Sequence, residues 1–190
     1  MKPKVILLSG KRYVGKDYCA GDLADKLITI HKNTLIVSLA DKVKQEYCEL
    51  MNKDYWRLHQ DRQYKEENRP AIVEYATTER AKDPLIWCKK LTTYIEKLSS
   101  FYEFFIISDI RYPNEINYFN SLYDAVNVRI HADDITRTGR GYIKNPVDQD
   151  ETEVSLDNFK FDIYVDNSNN KMMNLDIVFN YFIDTHDKSI

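Results

Sequence analysis

The sequence has few of the residues that typify secreted, low-complexity or repeat proteins. Its 190 residues include only three cysteines, five glycines and five prolines. The cysteines, Cys19, Cys48 and Cys88, are scattered and odd in number, so they form no metal-binding spacing and no disulfide framework. This pattern indicates a reducing compartment. No internal repeat and no low-complexity linker is visible.

Long apolar runs and a large charge excess are also missing. No apolar run is long enough to span a bilayer, and the first residues lead into a short strand instead of a signal-peptide core. A net charge of −3 argues against polymeric nucleic acid as the main partner. With 43% hydrophobic and 30% charged residues, the chain is predicted to be a single domain over 1–190. We expect it in the cytoplasm, or in the host cytoplasm if it is viral.

The most informative segment is Gly10-Lys11-Arg12-Tyr13-Val14-Gly15-Lys16-Asp17. It follows the apolar residues 5–8 and precedes a helix-like stretch, and Gly-x-x-x-x-Gly-Lys in this context binds nucleotide phosphates. The two glycines let the backbone N–H groups turn toward an anion, and the next helix adds its positive N-terminus. Lys16 is predicted to contact the terminal phosphates of ATP.

Asp17 departs from the common pattern, in which serine or threonine at this position helps to hold Mg²⁺. A carboxylate still binds Mg²⁺, directly or through water. The predicted cofactors are therefore ATP and Mg²⁺. The loop residues predicted to bind them are Gly10, Lys11, Gly15, Lys16 and Asp17.

Apolar runs alternate with helical patterns along the chain. Strands are predicted at residues 4–8, 34–39, 104–108, 125–130 and 161–165. Helices are predicted at residues 16–30, 41–51, 66–78, 85–99, 114–122 and 172–184. This alternation predicts an α/β protein with a parallel five-stranded sheet and helices on both faces.

Residues 41–100 contain no predicted strand and form a helical insertion, where we expect the phosphate acceptor to bind. A structural cap is the alternative. Lys65, Arg69 and Arg80 are the cationic candidates within it. Arg69 and Arg80 would share a face of a continuous helix, but Pro70 predicts a helix start and a break after Arg69. An ordinary solvated face is the alternative for these three residues.

Two later segments carry further candidates. Asp109 ends an apolar strand, as in a Walker B motif, and is predicted to hold Mg²⁺, with Arg111 close enough to reach a phosphoryl group. Residues 132–150 are predicted to form a flexible lid, in which Arg137 and Arg140 lie among glycines and close over the triphosphate. A surface aspartate and an exposed basic turn are the alternatives.

These motifs resemble a group of phosphate-loop kinases that includes the animal-type phosphomevalonate kinases and the phage-type deoxynucleoside monophosphate kinases. The likeness runs from Leu8 to Asn167, through residues 9–17, 64–66, 79–84, 108–111 and 151–162. Aspartate after the loop lysine is shared by both families. The resemblance implies a P-loop NTPase of the nucleoside-monophosphate-kinase type, ATP-dependent phosphorylation of a small phosphate monoester, and contact of Asn167 with adenine.

The two families differ at the end of the third strand. The animal phosphomevalonate kinases usually carry two adjacent arginines there, whereas this chain has Arg111 followed by Tyr112. The phage-type pattern Asp-Val-Arg-Phe-x-Asn-Glu is close to residues 109–115. An aromatic side chain beside the arginine suits a base, so a deoxynucleoside monophosphate is the favoured acceptor. Phosphomevalonate is the alternative, supported by the lid region and by residues 148–159.

Both kinase interpretations share one mechanism. Lys16 and the loop amides hold the β- and γ-phosphates, while Arg12, Arg111, Arg137 and Arg140 stabilise the charge of the transition state. A third hypothesis is a non-catalytic ATP-binding module. The number of arginines argues against it, because binding alone needs few cations beyond Lys16.

Overall fold

The computed structural model describes residues 2–170 and 175–184. Its strands are β1 (Lys4–Ser9), β2 (Thr34–Val37), β3 (Phe104–Ile110), β4 (Asp124–His131) and β5 (Ile163–Asp166). They form one parallel sheet in the order β2-β3-β1-β4-β5, which confirms the predicted sheet. The chain leaves β1 toward the β2 edge and later reaches β4 on the other side of β1. The connections therefore diverge beside the carboxyl end of β1, the usual ligand position in open α/β sheets.

The helices account for most of the remaining chain. They are α1 (Lys16–Thr29), α2 (Leu39–Met51), α3 (Tyr55–Gln60), α4 (Arg62–Lys82), α5 (Ile86–Leu98), α6 (Pro113–Leu122), α7 (Asp134–Gly139), α8 (Glu151–Val154) and α9 (Leu175–Asp184). The last predicted helix thus begins at Leu175 within the described residues, and positions 172–174 lie outside them. No helix in the described ranges has the length and apolar character needed to cross a bilayer.

The middle of the sheet is buried on both faces. Val5, Ile6, Leu7 and Leu8 of β1 are each at most 1% exposed. Successive strand residues point to opposite faces, so helices must cover both. On one face, Ile6 and Leu8 pack with Leu23 of α1. Each fully buried aliphatic side chain stabilises the fold by about 1.5–3 kcal/mol.

The chain divides into two compact units. One contains the residues up to Val37 and those from Leu98 onward, and the other is Ser38–Lys97. The first unit holds the sheet, and the second holds α2 to α5 with its own core of Tyr47, Cys48 and Leu58. The second unit overlaps most of the insertion predicted at 41–100, whose acceptor-binding role stays a prediction.

Two predicted strand ends are corrected by local chemistry. The strand predicted to reach Leu39 ends at Val37, because the Ser38 hydroxyl accepts a hydrogen bond from Asp41 N at 3.0 Å and caps α2. The strand predicted to end at Ser108 continues to Ile110, so Asp109 lies within β3.

The predicted helix break after Arg69 is wrong. Helix α4 begins after the Asp61 cap and continues through Pro70 for 21 residues. Arg69 and Arg80 therefore lie in one helix. Residues on both sides of the proline hold it in place, since Tyr64 and Ile72 pack on the same buried cluster. This packing offsets the hydrogen bond that proline cannot donate. The helix α3, just before α4, is an element that the sequence did not predict.

Candidate active site

The loop between β1 and α1 has a conformation that needs its two glycines. Gly15 has φ of +85°, in the left-handed region, and a Cβ there would lie 2.5 Å from Asn167 Nδ2. A Cβ on Gly10 would lie 2.5 Å from the carbonyl oxygen of Ile130 in β4. The loop is therefore wedged against neighbouring backbone and side chains, and larger residues at these positions would displace it.

Lys16 begins α1, and its ammonium group lies inside this loop. Lys16 Nζ donates to the carbonyl oxygens of Gly10 at 2.9 Å and Lys11 at 3.3 Å. The charged end of the side chain is thus folded back along the loop, where the phosphates of a nucleotide are predicted to bind.

Burial lowers the pKa of Lys16 to about 8, and the positive charge of Arg111 acts in the same direction. Asp17, Glu153 and Asp109 oppose this shift and raise the pKa. An anion placed beside the ammonium would likewise favour its protonated form. The loop is therefore a desolvated cationic site that a polyanion would stabilise.

The two predicted metal ligands both lie close enough to influence Lys16. Asp17 is exposed in the first turn of α1, and Asp109 is half-buried near the end of β3. Within the described ranges, no group of three or more His, Cys, Asp or Glu side chains could hold a metal ion. Two carboxylates fit Mg²⁺, which commonly takes one or two carboxylates and completes its coordination with phosphate oxygens and water.

Arg111 lies against the phosphate loop and is paired with a buried carboxylate. Its Nη1 donates to Glu153 Oε1 at 2.7 Å, to the Thr152 carbonyl at 3.3 Å and weakly to the Gly10 carbonyl at 3.5 Å. The other oxygen of Glu153 accepts from Arg12 N at 3.0 Å. The sequence analysis assigned no role to Glu153, although it lies in a segment that carried the family resemblance.

The position of Arg111 is also fixed through its backbone. Glu115 Oε2 accepts from the backbone N–H groups of Arg111 at 2.8 Å and Tyr112 at 3.1 Å. Glu115 is 2% exposed and lies three residues after Tyr112, which caps α6. A glutamate at this spacing after a helix cap is a signal that the sequence analysis could have used.

A second carboxylate, Asp157, joins two cations that flank the loop. It pairs with Lys11 Nζ at 2.7 Å and with Arg129 Nη2 at 3.0 Å. Arg129 Nη1 also donates to the hydroxyl of Ser9 at 2.9 Å. Arg129 was missed because a lone arginine inside an apolar strand shows no motif.

The two arginines of the predicted lid contact carbonyl oxygens of the phosphate loop. Arg137 Nε donates to the Arg12 carbonyl at 3.2 Å. Arg140 Nη1 donates to Tyr13 at 3.2 Å and Val14 at 2.9 Å. Arg137 lies in α7, so this part of the predicted flexible segment is helical, because the carboxylate of Asp133 caps a helix there.

Asn167 and Arg12 each support the loop from another segment. The Asn167 side chain is fully buried, its Nδ2 donates to the Val14 carbonyl at 2.9 Å, and its Oδ1 has no partner within the described residues. The predicted contact with adenine stays a prediction. The Arg12 side chain donates to Asn145 Oδ1 at 3.1 Å and lies 3.7 Å from Asp148 Oδ1.

The remaining candidates lie in the second unit. Lys65 and Arg69 are exposed on α4, and Arg69 pairs with Glu66 at 3.5 Å. Arg80 is half-buried, and its spacing of eleven residues from Arg69 places both on one face of the continuous helix. Contact of these three side chains with the acceptor stays a prediction.

Comparison with known proteins identifies the family. A family model described as phosphomevalonate kinase matches residues 8–125. The phosphomevalonate kinase of Drosophila melanogaster is 29% identical over 171 residues, which cover 86% of this chain and 88% of that protein. The resemblance to deoxynucleoside monophosphate kinases is not confirmed by these matches.

A solved structure shows the same fold. TT1252 from Thermus thermophilus matches with a TM-score of 0.56 at 15% identity and covers 98% of this chain and 99% of that one. Shikimate kinase from Acinetobacter baumannii matches with a TM-score of 0.49 at 12% identity, over 98% and 96% of the two chains. The likeness to TT1252 agrees with the predicted α/β fold. Since the family model covers more than half of its residues, the chain is a phosphotransferase that belongs to the phosphomevalonate kinase family.

Proposed function

We propose that this protein transfers the γ-phosphoryl group of ATP to the phosphate of phosphomevalonate. The observation that carries the proposal is the extent of the family match, which begins before the phosphate loop and continues beyond Arg111. The Drosophila melanogaster relative supports the same acceptor over most of the chain. A cytoplasmic location stays a prediction.

In this reaction an oxygen of the acceptor phosphate attacks the γ-phosphorus of ATP. The bond to the oxygen bridging the β- and γ-phosphates breaks, and ADP leaves with that electron pair. The acceptor oxygen is already ionised near neutral pH, so positioning and charge stabilisation supply the rate. Lys16 and the loop amides would hold the donor phosphates, and Arg111 with the arginines of the loop and lid would stabilise the transferred group.

Asp17 and Asp109 would hold Mg²⁺ in the loaded enzyme. The metal would neutralise phosphate charge during transfer. The two side chains supply hard oxygen ligands, and each lies close enough to Lys16 to raise its pKa.

The preference for a deoxynucleoside monophosphate, which was based on Tyr112, is not supported by the family match. A single aromatic residue is a weak criterion, because several cations together select an anionic acceptor. The backbone N–H of Tyr112 is used by Glu115, and the acceptor contacts of its half-buried side chain remain a hypothesis. Lys65, Arg69, Arg80 and Arg111 are proposed to bind the acceptor.

An acceptor screen tests the proposed function. With ATP and Mg²⁺, we expect kcat/KM for phosphomevalonate to exceed that for any deoxynucleoside monophosphate by about 100-fold or more. The physical reason is that a phosphate and a carboxylate together engage more charge-assisted contacts, each worth roughly 1.5–3 kcal/mol. The measurement is ADP release coupled to NADH oxidation, with product identity checked by phosphorus NMR.

The other outcomes of the screen are informative. Efficient transfer to a deoxynucleoside monophosphate without transfer to phosphomevalonate would overturn the proposed acceptor. ATP binding without transfer to any acceptor tested would instead favour the non-catalytic module. Mevalonate, which lacks the accepting phosphate, serves as the control substrate.

Arg80 offers a separate test of the acceptor site. We expect Arg80→Ala to raise the KM for phosphomevalonate about 10- to 100-fold, because a charge-assisted contact with the acceptor is lost, and to leave the KM for ATP within about twofold. The measurement is initial velocity with each substrate varied in turn.

Lys82→Ala is the matched control for Arg80→Ala. Lys82 lies two residues further along α4, is exposed and pairs with Glu79. We expect both Michaelis constants to be unchanged in this variant. A change confined to the ATP constant in Arg80→Ala would place Arg80 at the donor and refute its assignment to the acceptor.

A further inference from the structure

The carboxylate of Glu153 joins two segments that are distant in sequence. One oxygen accepts from the backbone N–H of Arg12, which is 141 residues away, and the other accepts from Arg111, which is 42 residues away. Its side chain is 5% exposed, against 27% for Arg111. A single buried carboxylate thus connects the phosphate loop to the end of β3.

The way in which Arg111 is held leaves part of its guanidinium available. Every hydrogen bond described for this group uses Nη1, with Glu153, Thr152 and Gly10 as acceptors. Within residues 2–170 and 175–184, Nε and Nη2 make no such bond. An arginine binds phosphate through two neighbouring N–H groups, and this edge supplies them.

A purely stabilising ion pair is a weaker explanation for this arrangement. Desolvation of two charges offsets much of their attraction, so a buried pair contributes little net stability. The neighbouring Asp157 lies on the same segment and pairs with Lys11 and Arg129, but it is 35% exposed. The more deeply buried carboxylate is therefore the one that holds the arginine proposed to contact the transferred group.

We propose that Glu153 is a positioning residue, which fixes the guanidinium of Arg111 against the phosphate loop so that its Nε and Nη2 edge binds the transferred phosphoryl group. The proposal rests on the proposed function for the identity of the acceptor. Glu153 itself contacts neither substrate in this scheme and acts through Arg111.

Glu153→Gln tests the proposal, because glutamine keeps the shape and removes the charge that holds the arginine. We expect kcat to fall about 10- to 100-fold, the loss typical of a small misplacement of a catalytic group. Glu153→Asp, which keeps the carboxylate, is expected to recover part of this loss. Glu151→Gln makes the same chemical change at an exposed position two residues earlier and is expected to keep wild-type kcat.

A double-mutant cycle separates positioning from a structural role. If Glu153 acts through Arg111, the kcat of Arg111→Ala/Glu153→Gln equals that of Arg111→Ala within about twofold. A radiometric assay with γ-labelled ATP detects the low residual rates. The proposal would be overturned if the fold-losses in kcat of the two single variants multiplied in the double variant. A wild-type kcat in Glu153→Gln would also overturn it.

A measurement without acceptor keeps this test independent of the proposed function. We expect the Arg12 backbone amide and the Arg111 guanidinium resonances to shift in Glu153→Gln and to remain in place in Glu151→Gln. Unchanged resonances would also overturn the proposal, even if the enzyme were active. The kinetic arm uses whichever acceptor the wild-type enzyme phosphorylates, so a wrong acceptor assignment leaves the inference about Glu153 testable.

Discussion

Lys16→Ala is expected to reduce kcat by about 10³-fold or more while the protein still folds. The variant loses the cation proposed to hold the terminal phosphates, and each 1.36 kcal/mol of lost transition-state stabilisation is about tenfold in rate. Burial lowers the pKa of Lys16 to about 8, which means that the charged ammonium group is less favourable in the folded state than in the unfolded state. Removal of this charge is therefore expected to leave the protein folded. Turnover is measured with saturating acceptor, and folding by thermal denaturation.

Lys26→Ala is the control for this experiment. Lys26 lies on the same helix and pairs with Asp22 at 3.2 Å and Asp176 at 2.8 Å, away from the phosphate loop. We expect this variant to retain wild-type kcat. Wild-type turnover in Lys16→Ala would contradict the assignment of this loop as the phosphate-binding site.

Gly10→Ala is expected to destabilise the protein by about 1–3 kcal/mol, the usual cost of overpacking. The new methyl group would lie 2.5 Å from the Ile130 carbonyl oxygen and 2.8 Å from Val14 Cγ2, so the loop must move. A shift of about 1 Å in a positioned group costs roughly 100-fold in rate, and kcat/KM for ATP should fall accordingly. Urea denaturation and ATP titration measure the two effects.

Gly21→Ala is a matched substitution with the opposite expected sign. A methyl group on Gly21, inside α1, meets no atom within 4 Å. Alanine is a better helix former than glycine, so we expect this variant to be more stable by about 0.5–1 kcal/mol. An equal destabilisation in both variants would show that the contact at Ile130 does not determine the effect.

The sheet and the phosphate loop were predictable because their signals are local. Alternating apolar and helical segments specify parallel βαβ units whatever lies between them. Position 15 has a left-handed backbone conformation, which favours glycine. The sequence therefore reveals this part of the loop through the glycine itself. The boundaries of β2 and β3 were less accurate, since the Ser38 cap and the final residues of β3 depend on how neighbouring elements meet.

Other features were wrong or missed because packing outweighs local preference. Proline normally ends a helix, yet α4 continues through Pro70 because residues of α4 on both sides of it pack on one buried cluster. The preference for a deoxynucleoside monophosphate as acceptor was not confirmed. It rested on one aromatic residue, Tyr112, whereas the contacts now proposed for the acceptor are mainly charged groups.

The sequence by itself indicated the phosphate loop and the alternation of strands with the longer helices, because each depends on residues close together in the chain. The kinase class rested on motifs spread from Leu8 to Asn167. Only the tertiary structure decided what surrounds the loop. Glu153 and Arg12 are separated by 141 residues, and Asn167 and Val14 by 153, yet each pair is hydrogen-bonded. Such contacts exist only after the sheet brings its strand ends together, since the energy of burying them comes from the whole core.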